Sequence, residues 1–431
     1  MGSMKVFVKS FGCSTNLADG EVLAGCLAEA GYELVDSVSA ADLVIYNTCA
    51  VKGPTENRMI EILKRVPRNK KVIVSGCLPL INFERLNKEV HFDGVVGPAA
   101  GDSIVNIVKR VLDSERVIAL TKAVDAKPSL SLPRLRLNQV IGIIPINYGC
   151  LGSCAYCCVV FARGHLRSYG IAEIVERVKE DLSMGVREFW LTSQDTACYG
   201  KDIGENLAEL LRAVCSIEGD FMVRVGMMTP NTAADLLSDL VEAFNNEKVF
   251  KFLHLPVQSG DNRILELMRR FYSVDEFKKI VEAFRAKHPS ITIATDVICG
   301  FPGETTEAFE KTLRLVGEVK PDIVNVSKFF ARPRTAAAKM RDSVPFPEIK
   351  RRSSVVAALA RKIAYGRNQS WVGWTGEILV DEVGKVSGSW IGRNFAYKPV
   401  VVRSADNVFG KTLRVKVTKA FSTHLEGEII E

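Results

Sequence analysis

The chain has 431 residues, 47% hydrophobic and 25% charged, the balance of an ordinary globular protein with two or three domains. That composition excludes a disordered, collagenous or coiled-coil protein, and no apolar run reaches the roughly 18–20 residues of a membrane span. The formal charge is +7, but residues 331–367 alone carry ten basic residues against two acidic, a net of +8. A basic segment on an otherwise neutral chain points to an anionic partner, nucleic acid first, unless it is only a solvated helix face.

Met1-Gly2-Ser3, ahead of a second start at Met4, reads as an added leader. No secretory signal opens the chain, so a cytoplasmic protein is expected. From residue 5 to about 120 the sequence alternates strand and helix. Strands are predicted over 5–10, 43–47 and 71–75, and helices over 20–30 and 55–66. That order implies an open parallel α/β domain, placed at 4–121. Residues 121–136, with Pro128 and Pro133, read as a linker.

A second α/β pattern follows, with strands over 139–146, 188–192, 222–225, 252–256, 291–298 and 322–326. Helices are predicted over 171–184, 206–216 and 274–287. Six strand–helix repeats suit a partial (β/α) barrel, which with its basic helical extension spans 137–367. Short strands over 375–380, 399–402 and 413–420, with Gly-rich turns, predict a small β-barrel over 368–431. The fold class is therefore α/β with a small C-terminal β-barrel.

Eleven cysteines without a secretory signal argue for metal or redox chemistry. Cys150-Leu-Gly-Ser-Cys154-Ala-Tyr-Cys157 lies on the loop after the first barrel strand. Three thiolates so spaced can hold a [4Fe–4S] cluster and leave one iron without a protein ligand. Zinc is the alternative, but a closed zinc site wants a fourth ligand. Cys158 adjoins Cys157 too closely, and His165 is eight residues further on. Cys13, Cys49 and Cys77 each follow a predicted strand. In a parallel sheet those strand ends share one edge, so a second three-cysteine site is expected there, against the plainer reading of three independent core thiols. Gly12 and Gly76 would let backbone approach a bulky group. Cys26 and Cys215 fall in helical patterns and read as core thiols, while Cys198 and Cys299 lie near barrel loops and read as structural.

The Cys150–Cys157 loop resembles that of the radical-SAM superfamily. Two three-cysteine sites with a terminal β-barrel resemble its methylthiotransferases, over nearly the whole chain. Further matching stretches begin at Leu191 (Leu-Thr-Ser-Gln-Asp), His254 (His-Leu-Pro-Val-Gln-Ser-Gly), Thr295 (Thr-Asp-Val-Ile-Cys-Gly) and Arg332 (Arg-Pro-Arg-Thr, where the family usually has Arg-Pro-Gly-Thr). The terminal barrel looks like a TRAM domain, an RNA-binding module. With eight basic and seven acidic residues in 368–431, it leaves much of the phosphate attraction to its basic lead-in.

The resemblance implies two [4Fe–4S] clusters, on Cys150, Cys154 and Cys157 and on Cys13, Cys49 and Cys77. It places Tyr156 near the adenine of S-adenosylmethionine and Gln194 on its methionyl part. Gln258 and Asp296 are expected to face the site, with His254 either lining it or closing a strand. Arg163 and Arg167 are expected on the cofactor carboxylate or an RNA phosphate, and Asp195 as a proton acceptor. The stretches 9–21 and 162–169, with Tyr169, look like the archaeal and eukaryotic branch, which methylthiolates threonylcarbamoyl-adenosine beside the tRNA anticodon. The lack of an apolar C-terminal tail suits a soluble archaeal type. Partners would be tRNA, an external one-electron donor and a sulfur donor. Alternatives are isopentenyl-adenosine or a ribosomal-protein aspartate as substrate, another two-cluster radical-SAM enzyme, or a noncatalytic iron–sulfur RNA-binding protein.

Overall fold

The computed structural model describes residues 4–120 and 127–430; the leader at 1–3 and the first part of the linker, 121–126, lie outside them. The N-terminal domain runs β1 (Lys5–Ser10), α1 (Ser14–Glu29), β2 (Glu33–Leu34), β3 (Leu43–Thr48), α2 (Gly53–Lys64), β4 (Lys71–Gly76), α3 (Leu78–Ile81), α4 (Phe83–Glu89), β5 (Gly94–Val96), α5 (Ser103–Leu112) and β6 (Val117–Ala119). The sheet is all parallel in the order β2-β1-β3-β4-β5-β6. β3 is buried throughout, as a central parallel strand covered by helices on both faces must be. Residues 127–136 pack on both neighbours: Leu135 N–H donates to Glu21 O (3.0 Å), and Arg134 Nη1 to Ile143 O (2.9 Å). The expected linker is thus a strap.

The central domain comprises β7 (Ile141–Pro145), β8 (Asn147–Tyr148), α6 (Val160–Arg163), β9 (Arg167–Ser168), α7 (Ile171–Ser183), β10 (Glu188–Thr192), α8 (Leu207–Cys215), β11 (Met222–Val225), α9 (Pro230–Ala234), α10 (Leu237–Ala243), β12 (Phe252–His254), α11 (Asn262–Leu267), α12 (Val274–Lys287), β13 (Thr292–Cys299), α13 (Thr306–Val319), β14 (Ile323–Lys328) and α14 (Phe346–Gln369). Its six long strands form two parallel sheets, β7-β10-β11 and β12-β13-β14. They are joined through the Val223–Val249 bridge and the Met228 N–H to His254 O bond (2.9 Å). The result is a partial barrel, as expected. α12 starts where the sequence places it because Ser273 and Glu276 form a capping box.

The C-terminal strands β15 (Thr375–Val383), β16 (Ser389–Arg393), β17 (Pro399–Arg403), β18 (Thr412–Ala420) and β19 (Leu425–Ile429) close into a barrel. It docks on the N-terminal ends of the central strands. Buried Lys398 bonds Asp322 Oδ1 (2.8 Å), Lys251 N–H donates to Phe395 O (2.7 Å), and Tyr397 packs edge-on against Phe250 and tilted against Phe252. The opposite, C-terminal mouth of the partial barrel is left to the N-terminal domain. α14, 24 residues and about 36 Å long, connects the segment at the mouth to the terminal barrel.

Candidate active site

Cys13, Cys49 and Cys77 all lie where β1, β3 and β4 end, on the edge that faces the central barrel. Cys13 immediately precedes α1 and is exposed, Cys49 is half-buried and Cys77 is buried. Asn16, one turn into α1, draws the first two together: its Nδ2 donates to Asn47 Oδ1 (2.8 Å) and to Thr48 O (3.3 Å). Cys77 N–H donates to Thr48 O (2.9 Å). That approach requires Gly76, at φ +93°, because a Cβ there would lie 2.2 Å from Thr48 O. The glycine therefore serves strand-to-strand contact, not the approach of a cofactor. Burial above all pushes the Cys77 thiol up to about 12, with Arg163 opposing and the neighbouring Cys49 and Cys13 adding.

The second set hangs on a hairpin. β8 and β9 pair antiparallel, Asn147 with Ser168 and Tyr148 with Arg167, and close the loop 149–166 at its base. Gly149, at φ +76°, is required there: a Cβ would lie 1.9 Å from His165 O. Backbone N–H groups of Gly152 and Val159 donate to Cys150 Sγ (3.1 Å) and Cys157 Sγ (3.4 Å), and Arg270 Nη1 reaches Cys154 Sγ at 3.3 Å. A Cβ at Gly152 would touch both Cys150 and Cys154 sulfurs, at 3.3 and 3.7 Å. Ala155 N–H donates to Met268 O (2.9 Å), fixing the loop's tip on the barrel.

Among the described residues no three His, Cys, Asp or Glu side chains close on one point as a single ion requires. A cluster takes one thiolate per iron and needs wider spacing. Three thiols, N–H donors to sulfur and a cationic Arg270 are the donor chemistry an anionic iron–sulfur cluster needs, so the barrel set fits that group; the N-terminal set offers three thiols on one edge. His165 is exposed.

The two sets face each other across the domain interface. Cys158, next to Cys157, packs with its sulfur 3.9 Å from both Ala50 O and Val51 O, beside Cys49. Arg332, 7% exposed, donates to Ala50 O (2.7 Å) and pairs with Glu56. Ser14 Oγ and Thr192 Oγ1, 2.6 Å apart, tie α1 to the end of β10.

The other candidates fall into two groups. At the mouth, Gln194 Oε1 accepts from Gly149 N–H (2.8 Å), beside Cys150. Tyr156 packs edge-on to Phe301 (6.4 Å). Gln258 sits at φ +68°, an uncommon conformation for a side-chain-bearing residue, and its N–H donates to Asp296 O (2.8 Å). Asp296 Oδ1 accepts from Asn325 Nδ2 (2.7 Å) and lies 3.2 Å from His254 Nε2. Burial pushes the Asp296 carboxyl up, but the His254 and Asn325 bonds outweigh it and hold it below the ordinary range.

Away from the mouth, expected roles meet occupied atoms. Asp195 caps backbone: Oδ1 accepts from Ala197 N–H (3.2 Å) and Thr229 N–H (3.0 Å), Oδ2 from Thr232 Oγ1 (2.9 Å). Both oxygens already accept hydrogen bonds from this capping role. Arg167 braces the cysteine loop through His165 O (2.8 Å) and Arg163 O (3.0 Å). Arg163 is buried against Asp19, 2.6 Å away, beside Cys13 and Cys77 rather than at the barrel set. Cys26, Cys215 and Cys299 are buried in apolar surroundings. Cys198 donates to Asp195 O (3.0 Å) and sits against Cys150. Sequence reasoning missed Arg270, whose contact with Cys154 forms only when the chain returns 116 residues later.

Comparison with known proteins decides the family. The Radical SAM superfamily model matches residues 144–316, the uncharacterized protein family UPF0004 residues 5–97, and the TRAM domain residues 369–430. Over 432 residues the chain is 41% identical to a protein of Pyrococcus abyssi (strain GE5 / Orsay), a probable threonylcarbamoyladenosine tRNA methylthiotransferase, covering 99% of this chain and 100% of that one. This chain belongs to that family. It is also 36% identical over 436 residues to the threonylcarbamoyladenosine tRNA methylthiotransferase of Homo sapiens, covering 99% of this chain and 74% of that one. A radical S-adenosylmethionine methyltransferase, TsrM of Kitasatospora setae, shares the fold at TM-score 0.57 and 14% identity, over 78% of this chain and 75% of that one.

Tyr169 and Arg334 are both anchors in this methylthiotransferase. Tyr169 is buried and its hydroxyl donates to Pro128 O in the strap. Arg334 occupies the position where the family usually has glycine, and its φ of +64° shows what the glycine serves. Its side chain offsets the strain by bonding Leu80 O and stacking on Phe161 at 4.5 Å. Alanine keeps the strain and has neither partner. Thermal melts should therefore rank Arg334→Ala below Arg334→Gly by about 1 kcal/mol.

Proposed function

We propose that this enzyme adds a methylthio group to C2 of N6-threonylcarbamoyladenosine 3′ of the anticodon in tRNA. The observation that carries the reading is the pair of three-cysteine sets facing each other at the barrel mouth, bridged by Cys158 and Arg332. When bound, a [4Fe–4S] cluster on Cys150, Cys154 and Cys157 supplies the electron that cleaves S-adenosylmethionine, and one on Cys13, Cys49 and Cys77 supplies the sulfur site. Around them Gln194 orients the cysteine loop, Tyr156 and Phe301 offer an apolar wall for adenine, and Gln258 and Asp296 face the bound cofactor. The N-terminal domain covers the mouth and excludes water. The electron and sulfur donors are separate partners.

Anaerobic turnover with dithionite, S-adenosylmethionine and tRNA carrying threonylcarbamoyl-adenosine tests this, with nucleosides read by mass spectrometry. A gain of one methylthio group on that nucleoside is expected. Deoxyadenosine formed with the nucleoside unchanged would sink the substrate assignment.

The tRNA surface follows from how the basic segment is used. Arg332, Arg334, Arg351, Arg352 and Arg367 are engaged within the protein. Lys350, Arg361 and Lys362 are all exposed along α14, and Arg361 lines a 650 Å³ cavity under the terminal barrel. Lys385, Arg403 and Lys419 line a groove of 1060 Å³ on that barrel. Changing Lys350, Arg361 and Lys362 to alanine should weaken binding of all tRNAs alike. The log–log salt slope should fall by about one unit for each phosphate that is no longer neutralised.

A further inference from the structure

Arg163 is the last residue of α6, on the radical-SAM side of the interface, and only 2% exposed. α6 packs on α3, which begins directly after Cys77, and Arg163 itself reaches Asp19 in α1, the helix that begins directly after Cys13, so it sits beside the N-terminal set. Its carboxylate partner, Asp19, is shared: Oδ1 accepts the Tyr148 hydroxyl at 2.6 Å, and only Oδ2 meets Arg163 Nη2, also at 2.6 Å. A structural ion pair would normally take both oxygens in a fork. Instead, buried Nη1 meets no acceptor among the described residues. Arg332, across the same interface, spends its guanidinium on Ala50 O and Glu56 and leaves only Nε without an acceptor. An unfilled N–H on a buried cation is costly, and an anionic acceptor removes the cost.

We propose that Arg163 is the anion-binding residue of the N-terminal site, and that its unfilled N–H holds the anionic sulfur ligand, hydrosulfide or methanethiolate, that the site carries before transfer. This rests on the two-site reading above. It gives the radical-SAM domain a direct hold on the sulfur. Docking of the two domains then completes the sulfur site as well as closing the mouth.

The test uses the full chain with Cys150, Cys154 and Cys157 changed to alanine, reconstituted anaerobically with iron and sulfide and reduced with dithionite. Sodium methanethiolate is titrated in and followed by electron paramagnetic resonance. A spectral shift with a defined midpoint is expected. Adding Arg163→Met should raise that midpoint at least about tenfold, and Arg163→Lys, which keeps charge but not the fork, by less. Iron content and melting temperature are measured alongside. An unchanged midpoint in Arg163→Met, whatever its melting temperature, makes Arg163 an interface ion pair only and overturns the proposal. If Arg163→Met fails to keep iron, Arg163→Lys decides in the same way. If the triple-alanine protein with Arg163 intact holds no iron or shows no shift, it is the two-site reading that fails.

Discussion

Alanine at Cys13, Cys49 and Cys77 together will leave S-adenosylmethionine cleavage running and stop methylthio formation. Of the three side chains only Cys77 belongs to a core, as one small member among many. Cys13 is exposed and Cys49 half-buried, and the domain's cores rest on residues such as Leu23, Ile45, Val72 and Val108. Strand ends stay together through Asn16, Asn47 and the Cys77 backbone N–H, all of which survive the change. The barrel set keeps its own supports, namely the hairpin base, the Gly152 and Val159 donors and Arg270. Deoxyadenosine and modified nucleoside, measured in one reaction, should therefore part company: the first persists, the second falls below detection. Alanine at Cys150, Cys154 and Cys157 should abolish both. Product from the N-terminal triple variant would show that those cysteines are not the sulfur site.

Much of this arrangement is legible in the sequence where local pattern and tertiary demand agree. β10, β11 and α12 have the bounds the periodicity predicts, and the three N-terminal cysteines reach one edge because parallel strands share their C-terminal end. The short strands β2, β5, β6, β8 and β9 carry no period and stay hidden, while β12, just as short, shows through the apolar run that holds it. In the terminal barrel β16 and β19 are obscured by Gly392 and by the polar run Glu426-Gly-Glu428. Asp195 looks catalytic because it follows a strand end, yet that position also needs a cap for the Thr196–Cys198 turn and the Thr229 loop, and capping uses both oxygens. Charge counting treats all ten basic residues of 331–367 alike. Burial separates them, since Arg332 and Arg352 are interior partners of Glu56 and Glu304. The placement of Arg163 beside the N-terminal cysteines depends on domain docking, which no local motif encodes.

That docking includes the buried Arg332–Glu56 ion pair, and breaking it should be costly. Arg332, from the segment after β14, enters the N-terminal domain and pairs with Glu56 in α2, each under a tenth exposed. Glu56 also accepts from Arg85 Nη1 (2.9 Å) and Asn82 Nδ2 (2.8 Å). Arg332→Met removes the guanidinium, leaves Ala50 O without that donor and leaves Glu56 to the half-exposed Arg85. The expected loss is about 3 kcal/mol, the lower end for breaking a buried pair because Arg85 remains. Burial pushes the Glu56 carboxyl up, but bonds from Arg332 and Arg85 outweigh it and hold it below its ordinary 4.5. An acid held low in the folded state adds stability above its unfolded value and loses it as pH falls through the folded one. The gap between wild type and Arg332→Met should accordingly be full at neutral pH and close below about 4.5. Denaturant unfolding at pH 7.5 and at pH 4 measures both arms. Because Ala50 adjoins Cys49, the variant should also incorporate less iron at the N-terminal site than at the barrel site. A difference under about 1 kcal/mol at neutral pH, with iron uptake unchanged, would mean that apolar packing around Cys158 and Phe161 holds the two domains together without the ion pair.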